Sequence, residues 1–203
     1  MSANVTTLID LLRHGEPVGG QKYRGQTDDP LSDKGWAQMR TAVGDHCPWD
    51  VIVCSPLLRC QAFAQELSVR HGVPLEVDPR WQELGFGEWE GRTAAELMAN
   101  DSQRLKCFWN DPVANTPPGG EALTAFHARI QAAWSDLLAH HAGRHALVVA
   151  HAGTIRMIVR LVLDMPLDRL FRIHVPNAGL TRVRVDASDR EVLPMLVFHG
   201  GQL

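Results

Sequence analysis

The sequence predicts an α/β fold, a three-layer α/β/α sandwich with a mostly parallel central sheet. Short apolar runs at residues 6–12, 50–54 and 146–150 are each followed by a stretch of helical character. Strands that alternate with helices build parallel sheets through crossover units. No internal repeat and no linker divides the chain. A length of 203 residues fits one hydrophobic core, so residues 1–203 are expected to form a single domain.

The first run ends at Arg13-His14-Gly15, where a turn-rich stretch continues to Pro30. Structured loops of that length in compact domains are commonly functional. A helix is expected over about residues 32–43, and residues 50–54 read as a buried strand. Ser55-Pro56 then offers an N-cap residue and a proline at the first helical position, with the helix running to about Arg70. The middle of the chain is helical and less regular. Thr93 and Glu96 have the spacing of a capping box, and a Pro/Gly loop covers residues 115–120. Leu123, Phe126, Ile130, Trp134, Leu137 and Leu138 fall on one helical stripe that ends near His140. Residues 146–150 form the third strand, a helix follows over about 154–163, and residues 179–185 and 192–198 read as late strands.

Composition narrows the function classes. Apolar residues make up 45% and charged residues 21%, which excludes a chain disordered throughout. The net charge is -3 and no block of like charge occurs, which argues against a nucleic-acid-binding face. Cys47, Cys54, Cys60 and Cys107 contain no zinc-type C-x₂-C pair, and Cys54 reads as a buried thiol in an apolar run. No Lys or Arg precedes Arg13 and the first apolar run is brief, so neither a signal peptide nor a membrane span is expected. A cytoplasmic, reducing setting is the default. The sequence carries no signal for oligomerisation, and a homodimer stays open.

Open parallel sheets bind ligands beyond the carboxyl ends of their strands. Arg13 and His14 follow the first strand, Arg59 lies one turn into the helix after the second, and His151 follows the third. Two arginines and two histidines at one edge suit phosphate. Arginine presents a planar fork of donors and stays charged. A neutral imidazole is a competent nucleophile when one nitrogen is free and the other is held as a donor. Phosphoryl transfer needs in-line placement and neutralisation of the equatorial oxygens. A carboxylic acid is expected nearby to protonate the leaving oxygen.

Leu12-Arg13-His14-Gly15-Glu16 resembles the signature of the histidine phosphatase superfamily, whose fold is called phosphoglycerate mutase-like. Gly25-Gln26-Thr27-Asp28, Ser55-Pro56-Leu57-Leu58-Arg59, Glu83 to Gly91, and Val149-Ala150-His151-Ala152-Gly153 are similar to the family's further motifs, in the family's order. The resemblance implies that His14 forms a phosphohistidine, that Arg13, Arg59 and His151 hold the phosphoryl oxygens, and that Glu83 protonates the leaving oxygen and then helps activate water. It implies a phosphate contact from the Ala152 N–H, places Gln26 and Thr27 near the substrate, and calls for no metal and no other cofactor. The partner it implies is a small-molecule phosphate ester. The segment from Phe86 to Gly91 resembles the phosphatase branch rather than the mutases. Tyr23 to Asp28 resembles bacterial α-ribazole phosphatases of cobalamin assembly. Sugar-phosphate phosphatases, including those for fructose 2,6-bisphosphate, and broad phosphomonoesterases are the alternatives.

One departure stands out. Relatives commonly carry a hydroxyl residue and a Trp-Asn pair after the position of Glu16, whereas this chain has Pro17-Val18-Gly19-Gly20. An asparagine contact to phosphate is therefore missing, and Tyr23 or Arg24 is the candidate replacement. Glu88 and Glu90 lie close to Glu83 and compete for the acid role on position alone. His140, His141 and His145 could form a metal patch or a solvated connection. Trp81, Trp89 and Trp109 are core or pocket-wall residues that sequence does not separate. Two other function classes compete. A metal-dependent hydrolase could use His14, His151 and a carboxylate, although two arginines beside a dication are unfavourable. A non-catalytic phosphate-binding protein could use the same fold.

Overall fold

The computed structural model describes residues 5–189 and 191–201. Its strands are β1 (Val5–Arg13), β2 (Val51–Cys54), β3 (Leu75–Val77), β4 (His145–Ala150), β5 (Leu180–Ala187) and β6 (Val192–Gly201). They form one sheet in the order β3-β2-β4-β1-β5-β6. The pairs β2/β3, β2/β4 and β1/β4 are parallel. β5 runs antiparallel to both β1 and β6. The sheet is thus mostly parallel, as the alternation of elements predicts. The final pair is a hairpin, because so short a connection reverses the chain and cannot make a parallel crossover.

Helices cover both faces. α1 (Asp33–Val43) and α2 (Leu58–His71) lie on one side, and α5 (Leu123–His140) and α6 (Ala152–Val162) on the other. The two-residue period of the strands divides their side chains between the faces. On β4, Ala146, Val148 and Ala150 join the α5/α6 core, while Leu147 and Val149 join the α1/α2 core. The stripe predicted for α5 is buried at Leu123, Phe126, Ile130, Trp134 and Leu137. α3 (Ala94–Asn100) and α4 (Ser102–Asn110) stand apart on a smaller cluster of Trp89, Leu97, Leu105 and Phe108. Thr93 and Glu96 make the predicted capping box at the start of α3. Among the described residues, no helix is long and apolar enough to cross a membrane.

One local expectation needs correction, and one strand was not foreseen. Ser55 does not cap α2, which begins only at Leu58. The Leu58 N–H is instead accepted by the Asp28 carboxylate, 2.6 Å away, so a residue thirty positions upstream supplies the cap. Ser55 and Pro56 make the turn before it. β3 carries no sequence signal, because three residues with two of them exposed are too few to show a period.

Gly15 and Gly35 bring the turn after β1 against the start of α1. A Cβ on Gly15 would collide with the Gly35 carbonyl, and one on Gly35 with the Glu16 carbonyl. Ser32 caps α1 by accepting from Gly35 N at 3.1 Å and donates to the Glu16 carbonyl at 2.9 Å. The His14 turn is therefore clamped from its far side.

A buried carboxylate ties three strands together. Asp10, with no exposed surface, accepts from Trp49 Nε1 at 2.8 Å, His145 Nε2 at 2.9 Å, and Arg182 Nε and Nη2 at 2.7 and 2.9 Å. Burial pushes its pKa up, but the bonds from Arg182, His145 and Trp49 outweigh burial and hold it below the ordinary value. A depressed folded pKa contributes stability that is present above the unfolded value, about 3.9, and is lost as pH falls through the folded one. Asp10→Ala is expected to cost about 2–4 kcal/mol at pH 7. Urea unfolding should show that gap narrowing as the pH falls below the unfolded value of about 3.9; a gap independent of pH would contradict this account.

Candidate active site

The register of β1 against β4 builds the site. Arg13 pairs with Ala150, and the His14 N–H donates to the Ala150 carbonyl at 3.0 Å. The next residues, His14 and His151, therefore emerge side by side, their rings edge-on with centroids 5.2 Å apart. A cleft of about 990 Å³ opens there, with Arg13, His14, Arg24, Arg59 and Glu83 in its wall.

His14 is 6% exposed. Its Nδ1 lies 2.7 Å from the Gly15 carbonyl. A carbonyl can only accept, which assigns the ring proton to Nδ1 and leaves a lone pair on Nε2. Burial, reinforced by the charges of Arg13 and Arg59, holds its pKa well below the ordinary histidine value. The ring is thus neutral, with one nitrogen pinned as donor and the other available.

Arg13 donates from Nη1 to the Val175 carbonyl at 2.6 Å, while its buried Nε has no partner. Burial lowers its pKa to about 10. Glu83 opposes the shift, and Arg156, Arg24 and Arg59 add to it. The guanidinium remains charged at neutral pH. Four arginines against two carboxyl groups, Glu16 and Glu83, leave the cleft wall electropositive, a setting for an anion.

Arg59, 1% exposed, reaches the cleft from α2. Its Nη1 and Nη2 donate to the Thr27 and Gly25 carbonyls, each at 2.7 Å, and its Nε to His151 Nδ1 at 3.2 Å. His151 has no exposed surface. Its Nε2 lies 2.8 Å from Ser55 Oγ, and Cys60 Sγ lies within 3.6 Å of the ring. Burial first, then the charge of Arg59, holds this imidazole neutral too. Both of its nitrogens have protein neighbours, Arg59 and Ser55. Its ring backs Arg59 and His14.

Glu83 stands in the cleft wall at the N-terminus of α6. Its Oε2 accepts from Gly153 N and its Oε1 from Leu84 N, both at 2.9 Å. A Cβ on residue 153 would strike this carboxylate, which explains the glycine. Glu90 is excluded from the acid role because it is saturated. It accepts from the amides of Phe86, Gln26 and Thr27 at 3.0, 3.0 and 2.8 Å and from Thr27 Oγ1 at 2.7 Å. Glu88 is exposed outside the wall.

Several predicted contacts are placed differently. Gln26 and Thr27 do not form the wall; they join Glu90 to Arg59 and so support the site from behind. Ala152 opens α6 but Gly153, not Ala152, borders the cleft. Arg24 lines the cleft, yet its Nε is paired with Asp29 at 2.9 Å and its Nη2 donates to the Val18 and Gly20 carbonyls. Tyr23 also lines it. The histidine patch disperses: His140 bonds the Asp136 carbonyl, His141 faces Glu76, and His145 serves Asp10. Among the described residues, no three His, Cys, Asp or Glu side chains are grouped to hold a metal ion. Sequence reasoning missed Arg156, Phe171 and Asn177 in the wall, and it left Trp109 undecided between core and wall, where the structure puts it in the wall. Only Arg156 had a legible signal, lying one helical turn beyond Gly153.

Comparisons with known proteins give the family and the fold. The model of the histidine phosphatase superfamily (branch 1) matches residues 9–195. The adenosylcobalamin/alpha-ribazole phosphatase of Salmonella typhimurium is 31% identical over 170 residues, covering 81% of this chain and 84% of the relative. The bifunctional protein Rv2228c of Mycobacterium tuberculosis is 32% identical over 180 residues, and the matched region covers 86% of this chain but about half, 49%, of that longer relative. The structure of a mycobacterial glucosyl-3-phosphoglycerate phosphatase superposes with a TM-score of 0.84 at 27% identity, covering 97% of this chain and 99% of that one.

Two buried neutral histidines have a consequence for stability. Their folded pKa values lie below the unfolded value of about 6.5, so the unfolded chain binds more protons and stability falls as pH drops below it. Ring signals of His14 and His151 followed by NMR should stay neutral at pH 6. An ordinary midpoint for either would contradict the burial seen here.

Proposed function

The chain belongs to the histidine phosphatase superfamily, and from that premise we propose that it hydrolyses a phosphomonoester, without a metal, by way of a phosphohistidine on His14. The carrying observation is the fixed tautomer: the Gly15 carbonyl holds Nδ1–H at 2.7 Å, so Nε2 is the free nucleophilic nitrogen. The substrate phosphoryl group sits above His14 with its oxygens facing Arg13 and Arg59. The Nε2 lone pair attacks phosphorus as the ester P–O bond breaks, and the charge spread over the equatorial oxygens meets the two guanidiniums. Glu83 gives a proton to the departing oxygen. In the second half water attacks phosphorus, Glu83 takes its proton, and the N–P bond breaks to restore neutral His14. The other carboxylate of the wall, Glu16, is paired with Lys34 at 2.7 Å, which leaves Glu83 for the proton.

For the substrate we favour α-ribazole 5′-phosphate, hydrolysed to α-ribazole. Support comes from the likeness to the Salmonella relative and from the segment Tyr23 to Asp28. A sugar-phosphate substrate is the second reading, favoured by the likeness to the mycobacterial glucosyl-3-phosphoglycerate phosphatase.

His14→Ala is expected to abolish turnover and the acid-labile phosphoenzyme; near wild-type hydrolysis by that variant would overturn the nucleophile assignment. Glu83→Gln should slow alkyl phosphates at least tenfold more than p-nitrophenyl phosphate, whose leaving group needs less protonation. Equal losses on both would remove the acid role. With chelator present, kcat/KM for α-ribazole 5′-phosphate should exceed those for fructose 2,6-bisphosphate and 3-phosphoglycerate about a hundredfold, roughly 2.7 kcal/mol of discrimination. A flat profile would support a broad phosphomonoesterase, and tight binding without turnover a non-catalytic phosphate-binding protein.

A further inference from the structure

The phosphoryl machinery occupies one part of the cleft, and about 990 Å³ is far more than a phosphoryl group fills. The remaining wall is unusual in its chemistry. Trp109, on α4, is 51% exposed although its neighbour Phe108 is 2% exposed and packs in the small cluster. Trp109 is not part of that cluster. A lone exposed aromatic would mean little, but this one adjoins Phe171 in the wall of the cleft, where a contiguous apolar face marks a binding surface. The indole is nevertheless fixed in place. Its ring stands edge-on to Phe171 and to Phe108, each with centroids 5.4 Å apart.

Phe171 extends the same surface. Its ring lies 5.2 Å from Phe108, and the Arg156 guanidinium stands 5.8 Å from its centroid. Arg156 is anchored by one bond, from Nε to the Ile173 carbonyl at 2.7 Å. Both aromatic residues and Arg156 border the same cleft as His14. Rigid aromatic faces and a guanidinium are what planar π systems bind, by stacking and by cation–π attraction.

We propose that Trp109 and Phe171, with Arg156 beside them, form a subsite for a planar aromatic ring carried by the alcohol part of the phosphomonoester. The inference rests on the phosphatase reading and deepens it. The substrates it selects are nucleoside-like esters, in which a flat heterocycle is separated from the phosphate by a sugar, over the bare sugar phosphate. The second anionic group of a bisphosphate or phosphoglycerate would gain nothing from the indole and phenyl faces.

The test compares α-ribazole 5′-phosphate with ribose 5-phosphate, which share a primary alkoxide leaving group and differ in the ring. The kcat/KM ratio should favour the ring-bearing ester by at least about tenfold. Trp109→Ala should bring the ratio to within about threefold of one, and Trp109→Phe should restore most of it, since the aromatic face and not the bulk is what counts. A wild-type ratio near one, or a ratio that Trp109→Ala leaves intact, overturns the subsite while the phosphatase reading stands. If wild type turns over neither ester and forms no phosphoenzyme, the phosphatase reading fails. The subsite is then judged by calorimetric titration of α-ribazole itself. Binding that weakens about tenfold in Trp109→Ala supports it, and absent or unchanged binding overturns it.

Discussion

The site depends on the parallel pairing of β1 with β4. In that register the last residue of one strand faces the last residue of the other, and the two histidines follow at once. Neither strand could shift by one position without turning its side chains to the opposite face, since the period is two. The core on both sides of the sheet therefore enforces the register that places His14 beside His151. Catalytic geometry is in this sense a by-product of how Leu11, Leu12, Val148 and Val149 are divided between the two layers.

Around that pairing the protein arranges charges that oppose one another. Arg13, Arg24, Arg59 and Arg156 surround one hole, with the carboxyl groups of Glu83 and Glu16 in the same wall and Asp29 paired to Arg24. Backbone carbonyls do much of the holding. Val175, Gly25, Thr27 and Ile173 each accept from one of these guanidiniums, which fixes them without neutralising their charge. Had carboxylates done the same work, the field would have been cancelled before a substrate arrived. Glu90 follows this logic at one remove: it spends its charge on the amides of residues 26, 27 and 86 and so sets the loop whose carbonyls grip Arg59.

What could be read from the sequence was whatever lies close along the chain. Arg13, His14, Arg59 and His151 sit in short motifs just beyond strands, where the strand-end rule gathers them, and Glu83 was given by the family resemblance alone. The α5 stripe and the Thr93 capping box are likewise local patterns. The failures are all matters of distance or direction. Asp28 reaches α2 across thirty residues. The neighbours of the His151 nitrogens, Ser55 and Arg59, were not legible either, since no periodicity encodes a ring's orientation. Gln26 and Thr27 belong to the right loop yet face inward. Trp109 and Phe171 meet across more than sixty residues, and only the packing of α4 against the segment before β5 shows that they share a wall.

The unbalanced arginines have a consequence for the end of the catalytic cycle. If the hole acts as proposed, the groups that hold the ester, Arg13 and Arg59 among them, would hold inorganic phosphate as well. Product departure thus competes with rebinding, and the free phosphate of the surroundings becomes a brake on turnover. The attraction that gathers the substrate also sets the concentration of its own product at which the enzyme falls idle.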